Sequence, residues 1–300
     1  MIKTSAPGKL LLLGDYAVVY GHPCIVTAVD KRLYVEAKII EAQEDVINTP
    51  QVKESRFVLE TIAYMKEQFN LSASIQINTK GDFSHQVGLG SSSAVTVATV
   101  EALNQLFKLH LTKKDIFTIS YKVNLLIQGV GSGFDIAAAT YGKTIRYIKG
   151  GEELTELSLK SLPLVVGYSG IKADTPYYIR KVAEAFKQRQ SELNELFTSM
   201  HSLVDEATIA LQKSDFQTVG NCFNNGHTIL QKLGVSIPKL DSMVKVARNA
   251  GAWGAKLSGA GGGDCMIALV PPDKTQKVKD AIERVGGEII TVGLQANGVS

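Results

Sequence analysis

The chain has 300 residues, 45% of them hydrophobic, and its 32 basic and 29 acidic side chains leave a net charge of +3. A chain of this length can bury a large core and divide into two lobes. The near balance of charge disfavours nucleic acid as the main partner, and we expect no membrane segment because no stretch of about 18 uninterrupted apolar residues occurs.

The three cysteines, Cys24, Cys222 and Cys265, stand in apolar or glycine-rich surroundings. Their odd number and their spacing fit neither a disulfide framework nor a zinc site. We therefore expect buried or half-buried free thiols and a reducing, cytoplasmic location. The polar or small residues 1–8 do not predict a signal peptide.

The first half of the chain alternates short apolar runs with turn residues, a pattern that predicts strands. The predicted strands cover residues 9–13, 17–20, 24–29, 33–40 and 72–78. Apolar residues at helical spacing, or runs of alanine and valine, predict helices as well. These helices cover residues 52–69, 94–106 and 113–127, the last with Thr112 as its N-cap, and a further element begins at residues 136–139.

The composition shifts near residues 150–162, just after a predicted hairpin tip at residues 149–153. The helices predicted beyond this point cover residues 175–213, 216–232, 241–249 and 274–285. The strands predicted there cover residues 164–167, 255–257, 265–270 and 288–292. Because strands and helices do not alternate regularly, the order of elements predicts an α+β fold rather than a doubly wound one.

A glycine- and serine-rich segment precedes the helix predicted at residues 94–106; it consists of Gly88, Leu89, Gly90, Ser91, Ser92 and Ser93. Glycine permits close approach of the backbone to a ligand, and the amides at a helix start attract phosphate. The serine hydroxyls could add hydrogen bonds or bind Mg²⁺. The segment is neither a Walker loop nor the dinucleotide fingerprint. The alternative interpretation is a serine-capped helix after a glycine turn.

A second cluster of small residues, 259–263, links the strands predicted at residues 255–257 and 265–270. Ordering such a loop costs conformational entropy. That cost suits a loop whose backbone must lie close to a ligand, and the alternative is a flexible hairpin tip.

Asp135 follows the tight turn formed by residues 131–134. A carboxylate beside a phosphate loop could take a proton from an attacking hydroxyl, and a nearby lysine would keep it ionised. The alternative is that Asp135 caps the element that begins at residues 136–139.

Residues 7–16, 88–93 and 258–264, in this order and spacing, resemble the GHMP kinases, the superfamily of galactokinase, homoserine kinase, mevalonate kinase and phosphomevalonate kinase. The resemblance covers essentially the whole chain. It implies a two-lobed α+β fold, with an N-terminal ATP-binding lobe over residues 1–155 that is similar to ribosomal protein S5 domain 2. The C-terminal lobe, residues 156–300, would be of ferredoxin-like α+β type.

The resemblance also implies that ATP, Mg²⁺ and a small-molecule acceptor bind between the lobes. Residues 88–93 would lie over the ATP phosphates, and Ser92 would bind Mg²⁺. Lys9 and Asp135 match the paired lysine and catalytic aspartate of the family, so Asp135 would take the hydroxyl proton of the acceptor while Lys9 neutralises charge. The residues expected to bind the acceptor are Asp15, Tyr16, His22, Lys172, Thr175, Gly259, Ala260 and Gly261.

Two of these expectations stay open at this point. Lys172 could hold a carboxylate or phosphate of the acceptor, or it could be a solvated loop lysine. The adenine contacts are expected from residues 50–85, without a particular residue.

Within the superfamily, residues 17–23, 233–236 and 254–261 resemble mevalonate kinases, whereas residues 131–137 and 258–265 resemble phosphomevalonate kinases. The first resemblance implies that the chain phosphorylates the 5-hydroxyl of mevalonate in the isoprenoid pathway. The second implies 5-phosphomevalonate as the acceptor.

A phosphorylated acceptor carries additional negative charge and requires an additional cation. Lys143, Arg146 and Lys149 could supply it, or they could be strand-edge charges. A non-catalytic binding protein with the same fold is a third interpretation, and a homodimer is one assembly that the sequence leaves open.

The chain departs from the family pattern at two positions. Gly14-Asp15-Tyr16 stands where mevalonate kinases show Gly-Glu-His, so Tyr16 could donate a hydrogen bond but carries no positive charge. Asn124 stands where the family has a metal-binding glutamate, and a neutral amide is a weaker Mg²⁺ ligand than a carboxylate. We therefore expect the metal to depend mainly on Ser92 and the ATP phosphates.

Overall fold

The computed structural model of the protein describes residues 1–50, 56–84 and 87–300. The first lobe contains the strands β1 (Ile2–Leu13), β2 (Cys24–Ile39), β3 (Val46–Asn48), β4 (Ile75–Gly81), β5 (Thr144–Tyr147) and β6 (Leu154–Glu156). They form one sheet in the order β3-β4-β2-β5-β6, and β1 pairs with β2 along most of its length. β3 and β4 pair in parallel, and the remaining pairings are antiparallel.

The helices of the first lobe are α1 (Arg56–Phe69), α2 (Ser91–Phe107), α3 (Lys113–Gln128) and α4 (Phe134–Tyr141). α2 is rich in alanine, valine and threonine, and these small side chains let it lie buried between β1, β2 and the other three helices. α3 begins with a capping box, in which the Thr112 hydroxyl accepts from the Asp115 amide and the Asp115 carboxylate accepts from the Thr112 amide.

The second lobe contains an antiparallel sheet in the order β10-β7-β9-β8, made of β7 (Leu164–Tyr168), β8 (Gly254–Ser258), β9 (Cys265–Leu269) and β10 (Glu288–Ile290). Its helices are α5 (Thr175–Ala185), α6 (Gln190–Gln212), α7 (Phe216–Lys232), α8 (Pro238–Asn249) and α9 (Thr275–Arg284). Every residue of β8 and β9 is buried, because α7 and α8 pack on these two strands. No helix in the described part of the chain is long and apolar enough to cross a bilayer.

β1 contributes to the cores of both lobes. The side chain of Leu11 belongs to the core of the first lobe, whereas Leu10 and Leu12 belong to the core of the second. Leu13 also belongs to the second core, because the pairing with β2 shifts its register between Leu11 and Leu13. Side chains alternate between the two faces of a strand, and a strand that is covered on both faces is apolar throughout. The unbroken leucine run therefore follows from the position of β1 between the lobes.

A buried ion pair joins the lobes just beyond β1. The Oδ2 atom of Asp15 lies 2.7 Å from Nζ of Lys256 in β8, and neither side chain is exposed to solvent. The other carboxylate oxygen of Asp15 accepts from the Gly259 amide at 2.8 Å. Burial lowers the pKa of Lys256 from its ordinary value, and the Asp15 carboxylate acts in the opposite direction.

The α+β class with two lobes is confirmed, and all three cysteines are buried free thiols. The predicted strand at residues 17–20 is wrong: Ala17–Tyr20 is a short 3₁₀ helix between Gly14 and Gly21, which both have positive φ. The predicted helix at residues 175–213 is two helices, α5 and α6. The first four residues of the helix predicted at residues 52–69, residues 52–55, lie outside the described residues. We propose that the lobes divide near residues 155–156, as the sequence predicts.

Replacing Asp15 by asparagine tests the buried pair. We expect Asp15→Asn to lower the free energy of unfolding by about 3–5 kcal/mol, because Lys256 would remain buried without an opposite charge. Denaturant unfolding measures this change. Glu36→Gln is the matched control, since Glu36 forms an exposed ion pair with Lys3 at 2.6 Å, and its loss should stay below about 1 kcal/mol. Equal losses in the two variants would contradict the interpretation.

His227 in α7 predicts a pH dependence of stability. Its Nδ1 accepts from the Leu257 amide at 3.3 Å and its Nε2 lies 3.0 Å from Oδ1 of Asp241. Burial lowers the pKa of His227 from 6.5 to about 4. The unfolded chain therefore takes up this proton at higher pH than the folded chain. The resulting stability is fully present above pH 6.5 and is lost as the pH falls towards 4, by about 3 kcal/mol in total.

Unfolding free energies at pH 7 and at pH 4.5 check this prediction. His227→Gln should lose less stability between the two values than the unaltered protein does, whereas a variant of the exposed His110, His110→Gln, should behave like the unaltered protein. Parallel pH profiles for the protein and its His227→Gln variant would remove His227 as the cause.

Candidate active site

A cleft of about 490 Å³ lies between the two lobes. The first lobe contributes Lys9 of β1, Tyr16, the start of α2 and the start of α4. The second lobe contributes the segment before α5 and the loop between β8 and β9. Elements that are distant along the chain thus form one concave site.

The glycine-serine segment forms one wall of this cleft. Gly88 and Gly90 adopt positive φ values of 73° and 77°, and α2 begins directly after them. Gly90 occupies the N-cap position without a side-chain hydrogen bond to the first turn. The first amides of a helix have no partner within the helix, so the start of α2 presents free N–H groups next to the hydroxyls of Ser91 and Ser92, which line the cleft.

Two residues of the segment predicted to bind phosphate, Leu89 and Ser93, are buried instead of lining the cleft. Leu89 is buried, and its carbonyl accepts from the Lys9 amide at 2.9 Å. Ser93 is also buried, and its hydroxyl donates to the carboxylate of Asp135. They hold the segment and the carboxylate in place and do not line the cleft.

Lys9 reaches the cleft because the backbone of β1 approaches the phosphate segment closely. A Cβ atom on Gly8 would lie 2.8 Å from the Leu89 carbonyl oxygen, so only glycine fits without displacement. The Lys9 ammonium donates to the Gly88 carbonyl at 3.0 Å and lies 5.6 Å from the centre of the Phe134 ring. The ammonium is thus held between the phosphate segment and the start of α4.

Asp135 lies in the first turn of α4, beside the same cleft. One carboxylate oxygen accepts from the Ser93 hydroxyl, and the other accepts from the Ile136 amide at 3.1 Å. The Asn124 side chain lies behind Ser93, with its Nδ2 3.4 Å from the Ser93 hydroxyl. The carboxylate is therefore fixed by donors on both of its oxygens.

The acceptor side of the cleft contains five of the predicted residues. The Tyr16 hydroxyl donates to the Ala260 carbonyl at 2.5 Å, and burial raises the pKa of this phenol, so it remains a donor. Gly259 and Ala260 line the cleft next to it. Lys172 and Thr175 line the opposite side, at the start of α5.

Three predicted acceptor residues do not line the cleft. Asp15 is buried against Lys256. Gly261, in the loop between β8 and β9, packs against Val235, because a Cβ atom on it would be 2.2 Å from the Val235 carbonyl oxygen. His22 faces α6, with its Nδ1 atom 3.2 Å from Nδ1 of His201. Direct contact of these three with an acceptor is therefore not part of the function proposed below.

The additional cations considered for a phosphorylated acceptor also lie elsewhere. Arg146 forms ion pairs with Glu153 at 2.5 Å and Asp205 at 2.7 Å. Lys149 donates to the Val19 carbonyl at 2.9 Å, and Lys143 does not line the cleft.

The sequence interpretation missed Asp264 and Lys256. Asp264 lines the cleft and has a positive φ of 56°. The sequence does mark Asp264, because it directly follows the run of glycine and alanine at residues 259–263. Lys256 gives no comparable signal, because its role depends on Asp15, which is distant along the chain.

The residues at the start of α2 fit a nucleotide triphosphate. Free amides, a glycine backbone and two serine hydroxyls are donors for phosphate oxygens. The described residues contain no group of three His, Cys, Asp or Glu side chains that could hold a metal ion by itself. The Ser92 hydroxyl lines the cleft, and oxygen atoms of this kind are ligands for Mg²⁺.

Family models place the chain among known proteins. The N-terminal domain of GHMP kinases matches residues 56–143, and the C-terminal domain of GHMP kinases matches residues 207–288.

Relatives of known name match over nearly the whole length. The mevalonate kinase of Thermococcus sibiricus is 36% identical over 99% of this chain and 97% of its own, and that of Pyrococcus abyssi is 34% identical over 100% and 97%. The crystal structure of L. major mevalonate kinase in complex with R-mevalonate has a TM-score of 0.84 at 25% identity and covers 99% of this chain and 97% of that one. This chain belongs to the GHMP kinase family.

Proposed function

We propose that the protein transfers the γ-phosphoryl group of ATP to the 5-hydroxyl of mevalonate. The observation that carries the proposal is the convergence of the uncapped start of α2, the Lys9 ammonium and the Asp135 carboxylate on one cleft. The choice of acceptor is supported by the mevalonate kinases that are 36% and 34% identical over 99% and 100% of the chain.

The triphosphate would bind at the start of α2. Its oxygens would accept from the free amides of the first turn and from the Ser91 and Ser92 hydroxyls, where the helix dipole also favours negative charge. A Mg²⁺ ion, when bound, would neutralise charge on the β- and γ-phosphates. Lys9, held by the Gly88 carbonyl at 3.0 Å, would add a second positive charge at the same end of the cleft.

Asp135 would orient the 5-hydroxyl of the acceptor and accept its proton. The Ser93 hydroxyl and the Ile136 amide fix the carboxylate, so its position does not depend on the substrate. Such preorganisation reduces the cost of reaching the reactive geometry.

The charge of the cleft favours mevalonate over 5-phosphomevalonate. Lys9 and Lys172 are the cations that line the cleft in residues 1–50, 56–84 and 87–300, and the carboxylate of Asp264 lies 3.4 Å from the Lys172 ammonium. A phosphate group would add about 1.5 to 2 negative charges at neutral pH. Arg146 is already paired with two carboxylates. The acceptor that these charges suit is a monocarboxylate.

A substrate panel tests the proposed function. We expect ATP consumption with mevalonate, and much slower consumption with 5-phosphomevalonate, homoserine or galactose. Product analysis by mass spectrometry should show one added phosphate on mevalonate. Preferential turnover of 5-phosphomevalonate would reverse the choice of acceptor, and the absence of turnover with all four would favour a non-catalytic binding protein.

The role of Asp135 is tested by asparagine, whose oxygen can accept from the Ile136 amide and whose NH₂ group can donate to the Ser93 hydroxyl. Asp135→Asn should lower kcat by about 10²- to 10⁴-fold, the usual contribution of a general base. The affinity for ATP, measured by calorimetry, should be nearly unchanged, because Asp135 acts on the acceptor side. Asp273→Asn, at an exposed ion pair with Lys274, is the control. Near-normal turnover of Asp135→Asn would remove Asp135 from the mechanism.

A further inference from the structure

Asp264 is a carboxylate in the cleft that the proposed mechanism does not use. It ends the loop between β8 and β9 and is held in the left-handed region, at φ 56°. Residues other than glycine rarely adopt this conformation, and where they do the surroundings hold them there. The loop supplies glycine at several neighbouring positions, so the side chain of Asp264 needs an explanation of its own.

The contacts of Asp264 supply one. Its backbone amide donates to the Ile171 carbonyl at 2.7 Å, and its carbonyl accepts from the Ser169 amide at 2.9 Å. Its Oδ1 atom accepts from the Ala173 amide at 3.1 Å and lies 3.4 Å from the Lys172 ammonium. Backbone and side chain together attach the segment before α5 to the glycine loop.

Asp264 also contacts the glycine-serine segment at Gly88, which forms one wall of the cleft. A Cβ atom on Gly88 would lie 2.5 Å from the Cβ atom of Asp264, so the Asp264 side chain packs directly on the backbone of residue 88 only because that residue is glycine. Asp264 thus lies where three walls of the cleft meet: the phosphate segment, the glycine loop and the segment before α5.

The two partners of the ion pair differ in exposure. The side chain of Asp264 is 12% exposed, whereas that of Lys172 is 49% exposed and extends into the cleft. A fixed carboxylate beside a half-exposed ammonium leaves the ammonium able to exchange partners, because such a partly exposed pair contributes little free energy.

We propose that Asp264 is a positioning residue for the acceptor. Its carboxylate holds the backbone at Ala173 and occupies Lys172 until the carboxylate of the acceptor takes its place. Asp264 therefore competes with the acceptor for Lys172. This inference rests on the proposed function.

Two substitutions separate the tether from the charge. Asp264→Asn keeps an oxygen for the Ala173 amide and removes the charge, so the KM for mevalonate should fall by about 2- to 5-fold, the range of a partly exposed ion pair, with kcat little changed. Asp264→Ala removes both, so the KM for mevalonate should rise by about 10-fold or more, because the buried Ala173 amide loses its acceptor. Asp273→Asn should change neither constant.

A double-variant comparison identifies Lys172 as the target of the competition. In a Lys172→Met background, Asp264→Asn should no longer lower the KM for mevalonate. The proposal is overturned if the effect persists without Lys172, or if Asp264→Asn raises the KM as Asp264→Ala does.

Amide hydrogen exchange without any substrate tests the tether independently of the reaction. Asp264→Ala should speed exchange in the segment 171–175, whereas Asp264→Asn and Asp273→Asn should match the unaltered protein. Equal exchange in all four proteins would overturn the tether. If mevalonate is not phosphorylated at all, the proposed function fails, and the exchange data still decide whether Asp264 holds this segment.

Discussion

The buried ion pair between Asp15 and Lys256 is the constraint on which the rest of the structure depends. Two opposite charges 2.7 Å apart and without exposure to solvent resist separation, because either one alone would remain in the interior. Asp15 follows β1 of the first lobe, and Lys256 belongs to β8 of the second. The pair therefore fixes the distance between the two lobes at the base of the cleft.

Further contacts extend this connection into the site. The Ser258 hydroxyl donates to the Leu11 carbonyl at 2.9 Å, and the Tyr16 hydroxyl donates to the Ala260 carbonyl at 2.5 Å. Through these bonds the glycine loop of the second lobe is attached to β1, the strand that also carries Lys9. The arrangement explains how residues from both halves of the chain reach the same cleft.

The chemistry of the site follows from local structure in the first lobe. Glycines at positions 88 and 90 leave the start of α2 uncapped, and the patterns of small and apolar residues in the sequence predict this helix and its glycine turn. The same holds for Asp135, which the sequence places just after a glycine turn. These features depend on neighbours along the chain, so they could be recognised without coordinates.

The features that escaped prediction depend on distant neighbours. Asp15 is expected to bind the acceptor because of its place in the motif of residues 7–16. Its carboxylate instead pairs in the interior with Lys256 of the other lobe. His22 faces His201 on α6, a helix whose position no local pattern reveals. The apolar residues 17–20 suit a strand, yet the positive φ of Gly14 and Gly21 turns them into a 3₁₀ helix. Asp15 and His22 thus depend on partners that are distant along the chain, whereas the 3₁₀ helix depends on its flanking glycines.

The most direct test of this account is a crystal structure of the protein with a non-hydrolysable ATP analogue, Mg²⁺ and mevalonate. The account predicts that the terminal phosphate lies at the start of α2, next to Ser92 and Lys9, and that the 5-hydroxyl of mevalonate lies within hydrogen-bond reach of the Asp135 carboxylate. A triphosphate bound away from the start of α2, or a hydroxyl directed away from Asp135, would contradict it.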